Sequence, residues 1–191
     1  HTYVEVRASQ DPITSRGDGF NFLLALGDSF ARNPSEGAVY GDEETKPLLE
    51  NLDDLDEGGV IVYDTGVIDT DAVEDLEERA AANDWHVYPM DLISIAREHG
   101  RDVMRNTAGV GVTAALLDMP LDPIEELMSE AMGGEILEAN LAVLEDARDA
   151  AKEELDPTHD LEIPTGDHDG EQVLLSGSHG ISYGAIDAGC R

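Results

Sequence analysis

A chain of 191 residues with 41% hydrophobic content can bury one sizeable core. Its 43 Asp and Glu against 11 Lys and Arg give a formal charge of −32, which leaves no basic stripe to neutralise phosphates and argues against nucleic-acid binding. One cysteine, Cys190, rules out an internal disulfide, a four-thiolate iron–sulfur cluster and a Cys-rich zinc site within the chain; with no signal peptide and no apolar run of about 18 residues, the reading is a soluble cytoplasmic protein and no membrane partner.

In chain order, residues 2–8 alternate, with Thr2, Val4, Val6 and Ala8 on one face, and read as a strand. The run FNFLLAL (20–26) lies between turn glycines and suits a strand buried on both faces. After a long turn-rich connection, Leu48, Leu49, Leu52 and Leu55 repeat at helical spacing behind Pro47 and predict an amphipathic helix. GGVIVYD (58–64) is a third strand, residues 71–83 a helix and WHVYPM (85–90) a fourth strand, with a short helix then ended by Gly100. Strands separated by helices of this length make βαβ units and a parallel sheet with covered faces.

From residue 104 the pattern is helical. NTAGVGVTAALLDM offers Asn106 or Thr107 as N-cap, LDPIEELMSEAM carries Pro123 in its first turn, and the helix after it sets Ile136, Leu137, Leu141 and Leu144 on one stripe. The segment 155–172, rich in Pro and Asp, reads as an acidic linker. Beyond it VLLSGSHGISYGAIDAGCR (173–191) starts a new unit of strand, Gly/Ser turn and helix. The chain opens without Met and stops as that unit begins, so the expectation is an internal piece of a longer polypeptide.

The acids are interleaved with apolar positions throughout, as in LEDARDAAKEEL, and so coat a surface rather than form a tail. Salt shortens self-repulsion to roughly 3 Å near 1 M, so the reading is a protein of a salt-loving organism; an acidic protein that captures cations or histones is the alternative.

Candidate chemistry is sparse. SGSHGISYG could cradle a phosphate but lacks the lysine and spacing of a P-loop, and its glycines also suit a tight turn. GVG in residues 109–111 does not follow a strand, so it fits helix packing rather than a dinucleotide fingerprint. His159 and His168 stand nine residues apart among aspartates, match no ligand pattern and read as solvated, while His86 is a strand residue facing solvent or a helix. Cys190 beside Arg191 is an activated thiol or, more simply, a packing residue.

The segments HTYVEVRAS, FNFLLALGD, PLLENLDDLDEGGVIVYD, MRNTAGVGVTAALLDM and LEANLAVLEDA, in that order, resemble the gamma domain of 2-oxoacid:ferredoxin oxidoreductases over about residues 1–152, closest to haloarchaeal alpha subunits. There a Pro- and acid-rich linker leads into a pyrimidine-binding domain whose beginning LLSGSHGISYGAIDAGCR is similar to. The resemblance implies a Rossmann-like three-layer α/β domain with a mostly parallel sheet (1–154), lacking its first βα unit, a linker (155–172) and the start of a second α/β domain (173–191). It implies oxidative decarboxylation of 2-oxoglutarate or pyruvate to an acyl-CoA. Thiamine diphosphate and a 4Fe–4S cluster would serve the whole complex, none wholly bound by this chain, with coenzyme A as substrate. The implied partners are a beta subunit and ferredoxin in an alpha2beta2 assembly. On this resemblance the segment serves subunit packing and the coenzyme A and substrate entrance, through His1, Thr2, Arg7 and Asn106. A stand-alone α/β module that binds a nucleotide or coenzyme A without chemistry is the alternative.

Overall fold

The computed structural model describes residues 4–9, 19–27, 48–68, 70–163 and 177–190. Its sheet has three parallel strands in the order β1 (Phe20–Ala25), β2 (Leu55–Asp64) and β3 (His86–Met90). Central β2 carries Val60, Ile61 and Val62, each 0% exposed, because a strand covered on both faces has no solvent side on which to alternate. Pro89 sits in β3, which has one paired neighbour among the described strands, a position where a missing N–H costs little.

Val60, Val62, Tyr88 and Met90 face a layer made by α3 (Leu92–Glu98), α4 (Arg105–Leu116) and α6 (Glu135–Glu154). On the other face Ile61 and Tyr63 meet Leu48, Leu52, Leu76, Ala80 and Trp85, from α1 (Leu48–Asn51), the 3-10 turn Leu52–Asp54, α2 (Thr70–Asn83) and the approach to β3. The expected three-layer parallel α/β architecture is therefore present. A smaller cluster joins Ala114, Leu121 and Leu144 to α5 (Asp122–Ala131), whose Pro123 lies in the first turn, where its lack of N–H is tolerated.

Small residues set the α4–α6 contact. A Cβ on Gly111 would lie 2.4 Å from the Leu144 carbonyl oxygen, so glycine lets the two backbones meet. His99 Nε2 stands 2.6 Å from Asp146 Oδ2 and ties the end of α3 to α6.

Several expectations are corrected. Residues 4–8 form no strand, and Val4 and Val6 are exposed; alternation makes a strand only where a neighbour pairs with it, and no described strand does. The leucine helix is a single turn, and Leu55 instead opens β2 opposite Phe20. Its continuation, Asp53, Asp54, Asp56, Glu57 and two glycines, is poor in helix formers. On α6 the buried stripe is Asn140, Val143, Leu144, Ala147 and Ala151; of the four residues expected, Leu144 is fully buried, Leu137 and Leu141 are half-buried and Ile136 is exposed. The Gly/Ser stretch 177–180 lies inside helix α7 (Gly177–Asp187), and Cys190 is exposed rather than packed. The strand expected just before α7 falls at 173–176, outside the described residues, as do His1, Thr2 and His168.

Candidate functional site

In a parallel α/β sheet the strand carboxyl ends, where the chain leaves for the next helix, are where ligand sites form. Here β2 ends on Asp64 and β3 leads into Asp91. The crossover after β2 is tied back to β3 by the Thr65 N–H, which donates to the Met90 carbonyl at 2.9 Å. Asp91 starts α3 as its N-cap, accepting the Ser94 N–H at 3.1 Å and the Ser94 hydroxyl at 2.7 Å.

Asp64 is 0% exposed. Its Oδ1 accepts the Gly66 N–H at 3.1 Å and faces the Ile93 N–H at 3.5 Å, a marginal bond, while Oδ2 is buried with no partner. Gly66 is required beside it, because a Cβ there would lie 2.3 Å from Ile93 Cγ2 and 3.0 Å from Asp91 Oδ1. Burial pushes the Asp64 carboxyl above its ordinary value; the two backbone N–H groups and the Arg105 guanidinium pull it back down, and the Asp91 charge adds to the rise. Around this centre Arg97 forks onto Asp102 at 2.9 and 3.0 Å, and that hydrogen-bonded pairing holds Asp102 below the usual carboxylate range.

This arrangement can hold one proton on a buried carboxyl and fix the β2 and β3 ends against α3. It supplies no nucleophile with its base. Asp64 is thus a positioning residue, binding two backbone stretches through a single side chain.

Asn106 directly follows Arg105, whose guanidinium acts on Asp64. It is exposed in the first turn of α4 and is not the cap, since the 3-10 turn Asp102–Met104 runs into the helix and Met104 is already helical. Thr107 does not cap either; its hydroxyl donates to Asn140 Oδ1 at 2.7 Å, across to α6. Arg7 is exposed in the amino-terminal segment. His159 is not solvated as expected, and packs against β3. Asp64 escaped notice among so many acids; the available signal was an acid closing an apolar run directly before Thr-Gly.

The three-strand parallel sheet covered by helices on both faces defines a Rossmann-like α/β domain. Residues 1–150 match the family described as pyruvate ferredoxin/flavodoxin oxidoreductase, and the chain belongs to that family. Among solved structures it is similar to 2-oxoglutarate:ferredoxin oxidoreductase from Magnetococcus marinus, solved with 2-oxoglutarate, coenzyme A and succinyl-CoA bound. That likeness has a TM-score of 0.68 at 19% identity and covers 93% of this chain but 27% of the other, so the chain spans about a quarter of that protein's length. A keto/oxoacid ferredoxin oxidoreductase gamma subunit from Geobacter sulfurreducens aligns with TM-score 0.45 and 16% identity, over 70% of this chain and 64% of that one. A pyruvate oxidoreductase subunit from Thermotoga maritima aligns with 0.45 and 18%, over 71% and 66%. No curated protein sequence matches the chain.

A cluster bound by four thiolates does not fit a chain whose one cysteine, Cys190, stands exposed. Among the described residues no three His, Cys, Asp or Glu side chains converge as a metal-bridged diphosphate would need. Among the described residues no helix is long and apolar enough to cross a membrane.

Proposed function

We propose that this chain is the gamma domain (1–154), an acidic linker (155–172) and the start of a pyrimidine-binding domain (173–191) of a 2-oxoacid:ferredoxin oxidoreductase alpha subunit. The observation that carries the proposal is the family match over residues 1–150, joined to a fold shared over 93% of the chain with a much longer oxidoreductase. The whole enzyme oxidatively decarboxylates a 2-oxoacid, 2-oxoglutarate ahead of pyruvate, to its acyl-CoA and passes the electrons to ferredoxin. Thiamine diphosphate supplies the decarboxylation chemistry when bound; it and the 4Fe–4S cluster are held largely by a beta subunit in an alpha2beta2 assembly.

Within that enzyme the segment packs subunits and walls the entrance for coenzyme A and substrate. His1, Thr2, Arg7 and Asn106 are the proposed entrance residues; Arg7 is a fixed cation suited to a phosphate of coenzyme A. Asp64 holds the turn after β2 against the start of α3. The enzyme works in the cytoplasm of a salt-loving organism of haloarchaeal type. In support, among the described side chains every Asp and Glu is exposed except Asp64 and the half-buried Glu125.

The test is to express the full alpha gene with its beta partner and assay 2-oxoglutarate- and coenzyme A-dependent ferredoxin reduction in molar salt and after dilution. Activity that needs both subunits and fades on dilution is expected. Turnover by this 191-residue piece alone, or a pair inert toward every 2-oxoacid offered, would sink the reading.

A further inference from the structure

Beyond α6, residues 155–163 have no regular structure of their own but return along the helix-covered face of β3. Leu155 and Leu161 pack against the core cluster that includes Tyr88 and Met90. The Thr158 N–H donates to the Tyr88 hydroxyl at 3.0 Å, and Thr158 Oγ1 lies 2.7 Å from His86 Nδ1. Between these contacts sits the half-buried His159 ring, edge-on to Tyr88 with centroids 5.6 Å apart and to His86 at 6.0 Å.

A single hydrogen bond fixes the tautomer of the neutral His159 ring. Nδ1 accepts the Leu161 N–H at 3.1 Å, so the neutral ring carries its proton on Nε2, which is buried and has no partner. A second proton must go to Nδ1, where it would confront the Leu161 N–H, donor against donor. The ring would also carry a charge with no acceptor at either nitrogen.

We propose that residues 155–163 form an acid-released strap, docked on β3 while His159 is neutral and detached when His159 takes up a proton. The groups facing the ring are His86 and Tyr88 from β3 and Asp160 from the strap, with Glu154 at the end of α6 and Asp156 lining the same groove as Thr158 and Tyr88. Asp160 favours the charged ring, yet burial first and the His86 ring second prevail, and His159 lies below its ordinary 6.5. The detached strap therefore binds the proton more readily, so docking is at full strength above 6.5 and weakens as pH falls below that value. Release would uncover Leu155, Leu161 and the inner end of β3, at the joint between the packed domain and the remainder of the chain.

The experiment is amide hydrogen exchange on the intact protein in molar salt, from about pH 8 to about pH 5, corrected for intrinsic rates. Protection at Thr158 and Leu161 is expected to fall as pH drops below 6.5, by at most about tenfold per pH unit and levelling off below the lowered His159 value, while Ala147 in α6 holds steady. His159→Phe keeps a ring against Tyr88 and cannot titrate, so its strap protection becomes independent of pH. If that variant is detached at every pH, the parent's own His159 ring titration decides. A midpoint below 6.5 moving in step with strap protection supports the proposal, and one at or above 6.5 overturns it. Strap amides that track Ala147, or a pH dependence that survives in His159→Phe, overturn it as well.

Discussion

Helices α6 and α7 invert what their compositions suggest. Helix α6 bears seven acids, Glu135, Glu138, Glu145, Asp146, Asp149, Glu153 and Glu154, and yet buries Val143, Leu144 and Ala147 completely. Helix α7 has one acid, Asp187, and leaves Ile181, Tyr183 and Ile186 exposed, with no buried residue. Burial comes from having a surface to lie on, not from mean polarity. Helix α6 has one narrow stripe and meets α4 and the sheet with it, whereas α7 has apolar residues and, among the described residues, nothing to cover them. On the proposed reading α7 is the first helix of a second domain whose remainder would supply that cover.

The sharpest way to break this contrast is a pair of truncations. Leu144→Ala removes a fully buried side chain where α4, α5 and α6 meet and is expected to cost about 2–5 kcal/mol, read from the urea midpoint of the chain in molar salt. Ile186→Ala in the same chain is expected to stay within about 0.5 kcal/mol of the parent. Equal losses would mean that α7 is packed after all, and the comparison would collapse. If Ile186→Ala becomes costly only in the full-length subunit, the covering surface lies in the added chain.

A smaller effect separates backbone approach from side-chain burial as the basis of the α4–α6 contact. Gly111→Ala adds one methyl that would stand 2.4 Å from the Leu144 carbonyl oxygen and 3.0 Å from the Ala147 Cβ. Because the nearest obstacle is backbone, the helices must part, with an expected loss of about 1–3 kcal/mol. The same change at Gly133, with nothing near its Cβ, is the control and is expected to be close to neutral.

These contacts explain which parts of the fold were legible in the sequence. Strands β1, β2 and β3 and helices α2, α3 and α5 stand out because period and turn residues agree, and the burial of Val60, Ile61 and Val62 accords with the unbroken apolar run. The α6 stripe is legible in part: Leu144 is fully buried and Leu137 and Leu141 half-buried, while Ile136 is exposed and periodicity, which weighs large residues most, passes over Ala147 and Ala151. The docked strap was invisible for a related reason. Nothing local in a Pro- and Asp-rich segment tells that His159 meets Tyr88 and His86 some seventy positions earlier. Asp64 was hidden by abundance, since 43 acids make any one of them unremarked until its depth is known.

Asp64 carries the comparison to its limit: α7 is apolar and exposed, and Asp64 is ionisable and buried. Its carboxyl is held above the ordinary 3.8, chiefly by burial. Between 3.8 and that raised value the folded chain therefore binds more protons than the unfolded one, so this group's contribution is full below 3.8 and is lost as pH rises through the window. Asp64→Asn keeps an amide oxygen for the Gly66 N–H and stays neutral throughout. The difference between variant and parent, measured by urea denaturation at matched salt, is expected to shift in favour of Asn as pH is raised from the acid side. Other carboxylates titrate alike in both proteins and cancel. A shift in favour of the parent would mean that attraction to Arg105 outweighs burial, and Asp64 would then be one partner of an ion pair rather than a buried acid holding the strand ends.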